Sequence, residues 1–139
     1  MKHCIINFLA LTVLLLPAMA KAQYYEVDGI VYGITSDQTA EVVPYYALLD
    51  NAYSGAVTIP QTVVLDGTSY TVTALSEYAF SDCEDVTSLT LPPTIRSIGS
   101  QCFYGCTFTT LQLPDSLRTL GDQAFLYSSV ESLHLPACF

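Results

Sequence analysis

The sequence predicts a mostly β fold: a short solenoid of stacked repeats, with an N-terminal β-hairpin cap and a second hairpin inserted in the first repeat. Three observations carry this. Leu89 to Phe103 and Leu111 to Phe125 are near-copies set 22 residues apart, and a third copy opens at Leu133-His134-Leu135-Pro136 and stops at Phe139. Each copy begins with an L-x-L-P stretch, whose period of two is that of a strand with one buried face. Two Asp-Gly pairs, Asp28-Gly29 and Asp66-Gly67, each stand between β-rich apolar runs; primed hairpin turns need positive φ at both central residues, which this pair supplies. A repeat this short cannot bury its own apolar side, so it must stack on its neighbours.

The first 22 residues stand apart. Lys2 and His3 precede an apolar run from Ile5 to Leu16, followed by Pro17 and then Ala20-Lys21-Ala22. The run is short for a bilayer span. A basic start, an apolar stretch and small residues at the cleavage positions mark a secretory signal peptide, residues 1–22, cut after Ala22 with Ala20 as the near alternative. The mature chain is then expected to be secreted, periplasmic or at the cell surface, with no membrane span. The whole chain has a net charge of −9; losing Lys2 and Lys21 leaves Arg96 and Arg118 against 13 acids, a net −11. Such a chain repels nucleic acid and anionic lipid. Its richness in Leu, Val, Ile and Tyr argues against disorder.

Residues 23–55 read as the cap. Tyr24 to Val27 and Ile30 to Ile34 flank the first Asp-Gly turn. Ala40 to Tyr46 adds a strand interrupted by Pro44, and Asp50 to Gly55 is a loop. Residues 56–139 read as repeats, the last truncated. The first begins at Val57-Thr58-Ile59-Pro60 and resumes in register at Leu75-Ser76-Glu77-Tyr78-Ala79-Phe80. Nine extra residues lie between, and Val63 to Leu65, Asp66-Gly67 and Thr68 to Val72 make them a hairpin. Within a repeat, proline ends the strand. Ile95, Leu117 and Phe139 form one inward column, and Ile98 and Leu120 the next. Gly99 and Gly121 mark a turn. Cys102-Phe103 and Ala124-Phe125 then place a small residue and a ring in the core, so Phe80, Phe103 and Phe125 should stack as an aromatic ladder.

The pattern L-x-L-P-x-x-[IL]-x-x-[IL]-G-x-x-[AC]-F, with Ala79 to Cys83 and Cys102 to Cys106, resembles the BspA-type leucine-rich repeats of Bacteroidetes. The Tyr25-Glu26-Val27-Asp28-Gly29-Ile30 opening is similar too, so the resemblance spans residues 24–139. It implies a short leucine-rich-repeat solenoid that is secreted or surface-exposed. It also implies adhesion to matrix proteins, other bacteria or epithelial cells, as some members show. The family offers no catalytic residue or cofactor to carry over. The departure is length, since such proteins usually hold many repeats and this chain about three and a fraction.

The residues weigh against catalysis independently. His134 is the single histidine after residue 22, and alternation points it outward between Leu133 and Leu135. A lone histidine is neither a triad nor a metal site. Asp82, Glu84 and Asp85 surround Cys83 without calcium-loop spacing and read as a solvated loop. No catalytic, cofactor or metal residue is therefore assigned. Cys83 and Cys106 share a repeat position, which leaves buried thiols or a disulfide between them open; Cys102 takes the place of Ala79 and Ala124. The remaining candidate is the outward strand face. Thr58, Thr90, Gln112 and His134 form one column, and Ala56, Ser88, Thr110 and Ser132 another. The candidate binding residues are Thr58, Ser88, Thr90, Thr110, Gln112, Ser132 and His134. The first expectation is a non-catalytic module for protein–protein or cell-surface contacts. The alternative is a carbohydrate-binding or structural accessory domain of a larger envelope protein, with paired cap tyrosines such as Tyr45 and Tyr46 stacking on sugar. Leu133, Leu135, Cys138 and Phe139, at an open strand edge, point to self-association.

Overall fold

The computed structural model describes residues 23–49 and 52–137. The expected signal peptide, Asp50, Asn51, Cys138 and Phe139 lie outside the described residues. In the cap, β1 (Tyr24–Val27) and β2 (Ile30–Ile34) pair antiparallel, with Tyr25 opposite Tyr32 and Val27 opposite Ile30. Asp28 and Gly29 turn the hairpin at φ of 52° and 78°, the left-handed pair that a primed turn demands. β3 (Thr39–Val42) pairs antiparallel with β2. It stops short of Tyr46. Pro44 has no N–H for a ladder, and the chain leaves it as a 3₁₀ turn, Tyr45–Ala47.

The cap is continuous with the solenoid. The free edge of β3 pairs in parallel with β6 (Thr68–Leu75), with Thr39 opposite Thr71, Val42 opposite Leu75 and a register shift between Ala40 and Glu41. β6 in turn pairs with β8 (Ser97–Ile98), and β8 with β10 (Thr119–Leu120). The cap thus supplies the strand that a preceding repeat would. The inserted hairpin is built on the same strand. β5 (Thr62–Leu65) pairs antiparallel with the first half of β6, from Thr62 opposite Thr71 to Leu65 opposite Thr68. The second half of β6 belongs to the repeat.

A second sheet is wholly parallel: β4 (Gly55–Thr58), β7 (Val86–Thr90), β9 (Thr107–Gln112) and β11 (Ser129–His134) stack in chain order. The third side of each coil has no strand, yet it is a ladder. The N–H groups of Tyr78, Phe80 and Asp82 donate to the carbonyls of Ser100, Cys102 and Tyr104; those of Gln101, Phe103 and Gly105 donate to Asp122, Ala124 and Leu126, all at 2.8–3.1 Å. Left-handed residues recur at fixed places in it. Tyr78, Gln101 and Gln123 have φ of 59°, 50° and 57°, and Asp82, Gly105 and Tyr127 have 56°, 68° and 57°. Non-glycine residues reach this region at a cost of about 1–3 kcal/mol each, which the inter-repeat hydrogen bonds and the ring beneath them offset.

Those rings form the expected ladder. Phe125 stacks on Phe103 at 5.1 Å and 28°, and Phe103 lies 6.1 Å from Phe80. The column continues where the sequence suggested only a loop, since Phe80 meets Tyr53 at 5.1 Å. Tyr53 is buried, and its hydroxyl accepts from Val31 N–H at 3.1 Å and donates to the Val43 carbonyl at 2.7 Å. It staples the cap to the first repeat. Ile95, Ile98 and Leu117 are buried in their predicted columns, and Ala79, Cys102 and Ala124 are buried in theirs. Thr94 and Ser116 clamp successive coils by donating their hydroxyls to the Val72 and Ile95 carbonyls.

The repeat glycines have a reason that the sequence did not disclose. Neither Gly99 nor Gly121 has positive φ. A Cβ on Gly99 would strike the backbone of Ser76 and Glu77, and one on Gly121 the backbone of Gly99 and Ser100. The glycines let adjacent coils touch backbone to backbone.

Candidate functional site

The strand registers bring the predicted face together. Thr58 lies opposite Thr90, and Gln112 opposite His134. Ala56 lies opposite Ser88, and Thr110 opposite Ser132. Thr58, Ser88, Thr90, Thr110, Gln112 and His134 are exposed and Ser132 half-buried, while Val57, Leu89 and Leu111 between them point into the core. Two-residue alternation produces this division.

The face is not uniform. β4 with β7, and β9 with β11, pair along their length, and at the strand ends Ile59 N–H donates to Thr90 O and Leu113 N–H to His134 O, both at 3.0 Å. Between β7 and β9 only Leu89 and Leu111 are paired. Leu91 N–H makes no matching bond to Gln112. A groove of about 850 Å³ lies over this stretch of the sheet. Ser88, Thr90 and Pro93 form one wall and Thr110, Gln112 and Arg118 the other. Arg118 is fixed at the rim, its Nη1 donating to the Asp115 and Leu117 carbonyls at 3.0 Å each. The corner at Pro92-Pro93 differs from those at Pro60-Gln61, Pro114-Asp115 and Pro136-Ala137. A second proline holds Pro92 extended and leaves no N–H at the following residue.

Four of the seven predicted face residues, Ser88, Thr90, Thr110 and Gln112, thus line one groove. Thr58 lies in a separate hollow against the cap, with Asp28 and Tyr53. His134 and Ser132 extend the face beyond the groove. Sequence reasoning did not place Arg118 or Pro93 at the site; the doubled proline was the available signal.

The three described cysteines sit in the core. Cys83, Cys102 and Cys106 are free and buried. Burial pushes the Cys83 thiol up to about 11 and the Cys106 thiol up to about 12, and holds Cys102 well above the ordinary range. Cys106 Sγ donates to the Phe80 carbonyl at 2.9 Å. A nucleophilic cysteine needs a stabilised thiolate, and these are stabilised as thiols. Among the described residues no group of three or more His, Cys, Asp or Glu is placed to hold a metal ion, and no helix is long and apolar enough to cross a membrane.

The architecture is that of a stacked-repeat scaffold offering an extended polar face, the kind of surface that solenoids use for protein interaction. The chain belongs to the BspA-type leucine-rich repeat family: the family model described as "BspA type Leucine rich repeat region (6 copies)" matches residues 50–139. A leucine-rich repeat protein from Bacteroides capillosus shares the fold, with 19% identity and a TM-score of 0.53 over 82% of this chain and 98% of that one. One from Bacteroides ovatus matches at 22% identity and a TM-score of 0.38, covering 81% of this chain and 41% of its own length. A leucine rich cell surface protein from Faecalibacterium prausnitzii matches at 12% identity and a TM-score of 0.32, with 81% and 55% covered. No curated protein matches the chain significantly.

Proposed function

We propose that the chain is exported by cleavage near Ala22, and that residues 23–139 then act as a secreted or cell-surface module without catalytic activity. It binds a protein or cell-surface ligand through the outward strand face, with residues 23–55 closing one end of the repeats at 56–139. The observation that carries this reading is the groove between β7 and β9. There the ladder opens and leaves hydroxyls, an amide and one fixed guanidinium facing solvent. Such groups satisfy the backbone of an extended peptide segment, and the walls give it a defined seat. Electrostatics supports a site here, since Arg118 is one of two cations after residue 22 and stands at the rim.

The test is binding of the exported protein to a panel of extracellular matrix proteins and, in parallel, to a glycan array. The reading expects a matrix or surface protein to bind, and Thr90→Ala with Gln112→Ala to weaken it about tenfold or more without shifting the denaturation midpoint. Glycan binding without protein binding would favour an accessory carbohydrate domain. Retention of residues 1–22 in exported material would remove the proposed route of export.

A further inference from the structure

The residue after each strand-ending proline turns a corner of the coil, and successive corners hold Gln61, Pro93, Asp115 and Ala137. At the last step the corners are bonded to each other. Asp115 Oδ1 accepts from the Ala137 N–H at 3.4 Å, so a carboxylate of one coil caps the backbone of the next. One coil earlier the capping place holds Pro93, whose side chain has no acceptor. Asp115 N–H, which by repeat equivalence points toward Pro93, has no partner among the described residues. Pro93 also withholds the carboxylate that a repeat built like the next one would set in this wall. Leu91 and Asp115 both line the groove of the strand face, and both leave a backbone N–H there without an acceptor.

Arg118 stands in the same wall. Its Nη1 donates to the Asp115 and Leu117 carbonyls, which uses both hydrogens of that nitrogen and fixes the plane of the guanidinium. What remains is Nε–H and Nη2, the parallel pair that grips a carboxylate with two bonds. Asp115 is the one acid in the lining, and its carboxylate is turned to Ala137 in the next coil, away from Pro93. The chain as a whole, with 13 acids against two arginines after residue 22, would draw cations; the donors gathered at this one place select an anion. Leu91 N–H and the Gln112 carbonyl across from it are pairing groups of a strand without a partner. A polypeptide backbone supplies both complements in an extended conformation, and a sugar does not.

We propose that the groove takes an extended segment of a protein partner that carries an aspartate or glutamate. The carboxylate is held by Nε–H and Nη2–H of Arg118 and by Asp115 N–H, while the backbone of the segment pairs with Leu91 N–H and the Gln112 carbonyl. This rests on the reading of the strand face as the binding surface and adds the chemistry of its ligand. Pro93 sets the specificity, because a carboxylate in its place would take the Asp115 N–H and repel that of the ligand.

The experiment titrates the exported protein with an acetylated Thr-Thr-Val-Asp-Val-Thr-Thr amide. The same peptide with asparagine for aspartate, and a galacturonate oligosaccharide, serve as comparisons. Nitrogen–proton NMR follows the Leu91 and Asp115 amides and the Arg118 Nε–H. The aspartate peptide should shift all three signals, and the asparagine peptide should bind about three- to tenfold more weakly. Arg118→Gln and Pro93→Asp should each reduce the aspartate peptide to the level of its asparagine analogue without lowering the denaturation midpoint. Equal affinity of the two peptides, with the Leu91 and Asp115 amides shifted by both, would overturn the acidic ligand and leave the strand-face reading standing. Failure of both peptides to shift these signals would overturn the proposal too, and the matrix-protein panel then decides the strand-face reading separately. A galacturonate oligosaccharide that shifts the three signals as strongly as the aspartate peptide would assign the site to acidic glycans instead.

Discussion

Gly99→Ala should be among the most damaging single-methyl additions in this protein, although the site is half-buried and the change is small. The added Cβ would sit 2.6 Å from the Ser76 carbonyl carbon and 2.8 Å from Glu77 Cα. Ordinary carbon contacts are about 3.5 Å or more, so the coils must part locally by roughly 0.8 Å. Both obstructing atoms are backbone, which cannot rotate away. Gly99 N–H donates to Leu75 O at 2.9 Å; stretched by that amount, the pair leaves hydrogen-bonding range. Overpacking costs about 1–3 kcal/mol and the lost bond about 1 kcal/mol, giving a total of about 2–4 kcal/mol. Stabilities of domains run to about 5–15 kcal/mol, so the loss should be plain in a urea titration, with the midpoint lowered and the slope unchanged. Gly99→Asn should do no better, because φ here is not left-handed. Ser76→Ala, at the matching place in the first repeat, should shift the midpoint little. A Gly99→Ala protein with the parental midpoint, or a tolerated Gly99→Asn, would refute the argument that coils meet backbone to backbone here.

Phe103→Ala, in the middle of the ladder, should cost about 3–5 kcal/mol, and Gln112→Ala should stay within about 0.5 kcal/mol; paired denaturation curves check this. Tyr53→Phe leaves the buried Val31 N–H without its partner and should cost about 1–3 kcal/mol, with limited proteolysis cutting the cap before the repeats. The thiols give stability a defined pH dependence. In the unfolded chain they ionise near 9, whereas Cys83 and Cys106 hold their protons to about 11 and about 12 in the fold. The unfolded state sheds protons first, so stability is complete below pH 9 and falls as pH rises from 9 toward 12. Thermal melts across that range should show the decline, and Cys83→Ala with Cys106→Ala should lessen it, chiefly between pH 9 and 10, below the range where the buried Tyr32 and Tyr53 phenols, also raised by burial, add their own share. Leu133 of β11, opposite the buried Leu111 yet 40% exposed, and Leu135 just beyond the strand, 63% exposed, should promote association of the chain; Leu135→Glu should reduce it in light scattering at high concentration.

The parts of the fold legible in the sequence were those that repeat by residue type. L-x-L-P strands, Asp-Gly turns and the phenylalanine column each show a chemical preference that survives without neighbours. The third side of the coil was hard to read because four of its six left-handed places hold Tyr78, Gln101, Gln123 and Tyr127, none of them a residue that announces positive φ, and only Asp82 and Gly105 are of the types that do. In the sequence Tyr53 reads as part of a loop because the cap does not follow the repeat pattern, and only packing shows it as the next rung after Phe80. The face columns followed from alternation and register. The groove did not, since it coincides with a missing bond at Leu91 and with side chains from two successive corners, Pro93 and Arg118 among them, which residue type alone does not bring together.

The most direct test is amide hydrogen exchange at the strand ends, read residue by residue. The account predicts that Leu91 N–H exchanges far faster than Leu113 N–H and Ile59 N–H, whose bonds are intact, and that a partner bound at the strand face slows Leu91 selectively. Equal protection at the three positions in the free protein would mean that the sheet is closed between β7 and β9, and that the groove proposed to bind is not there.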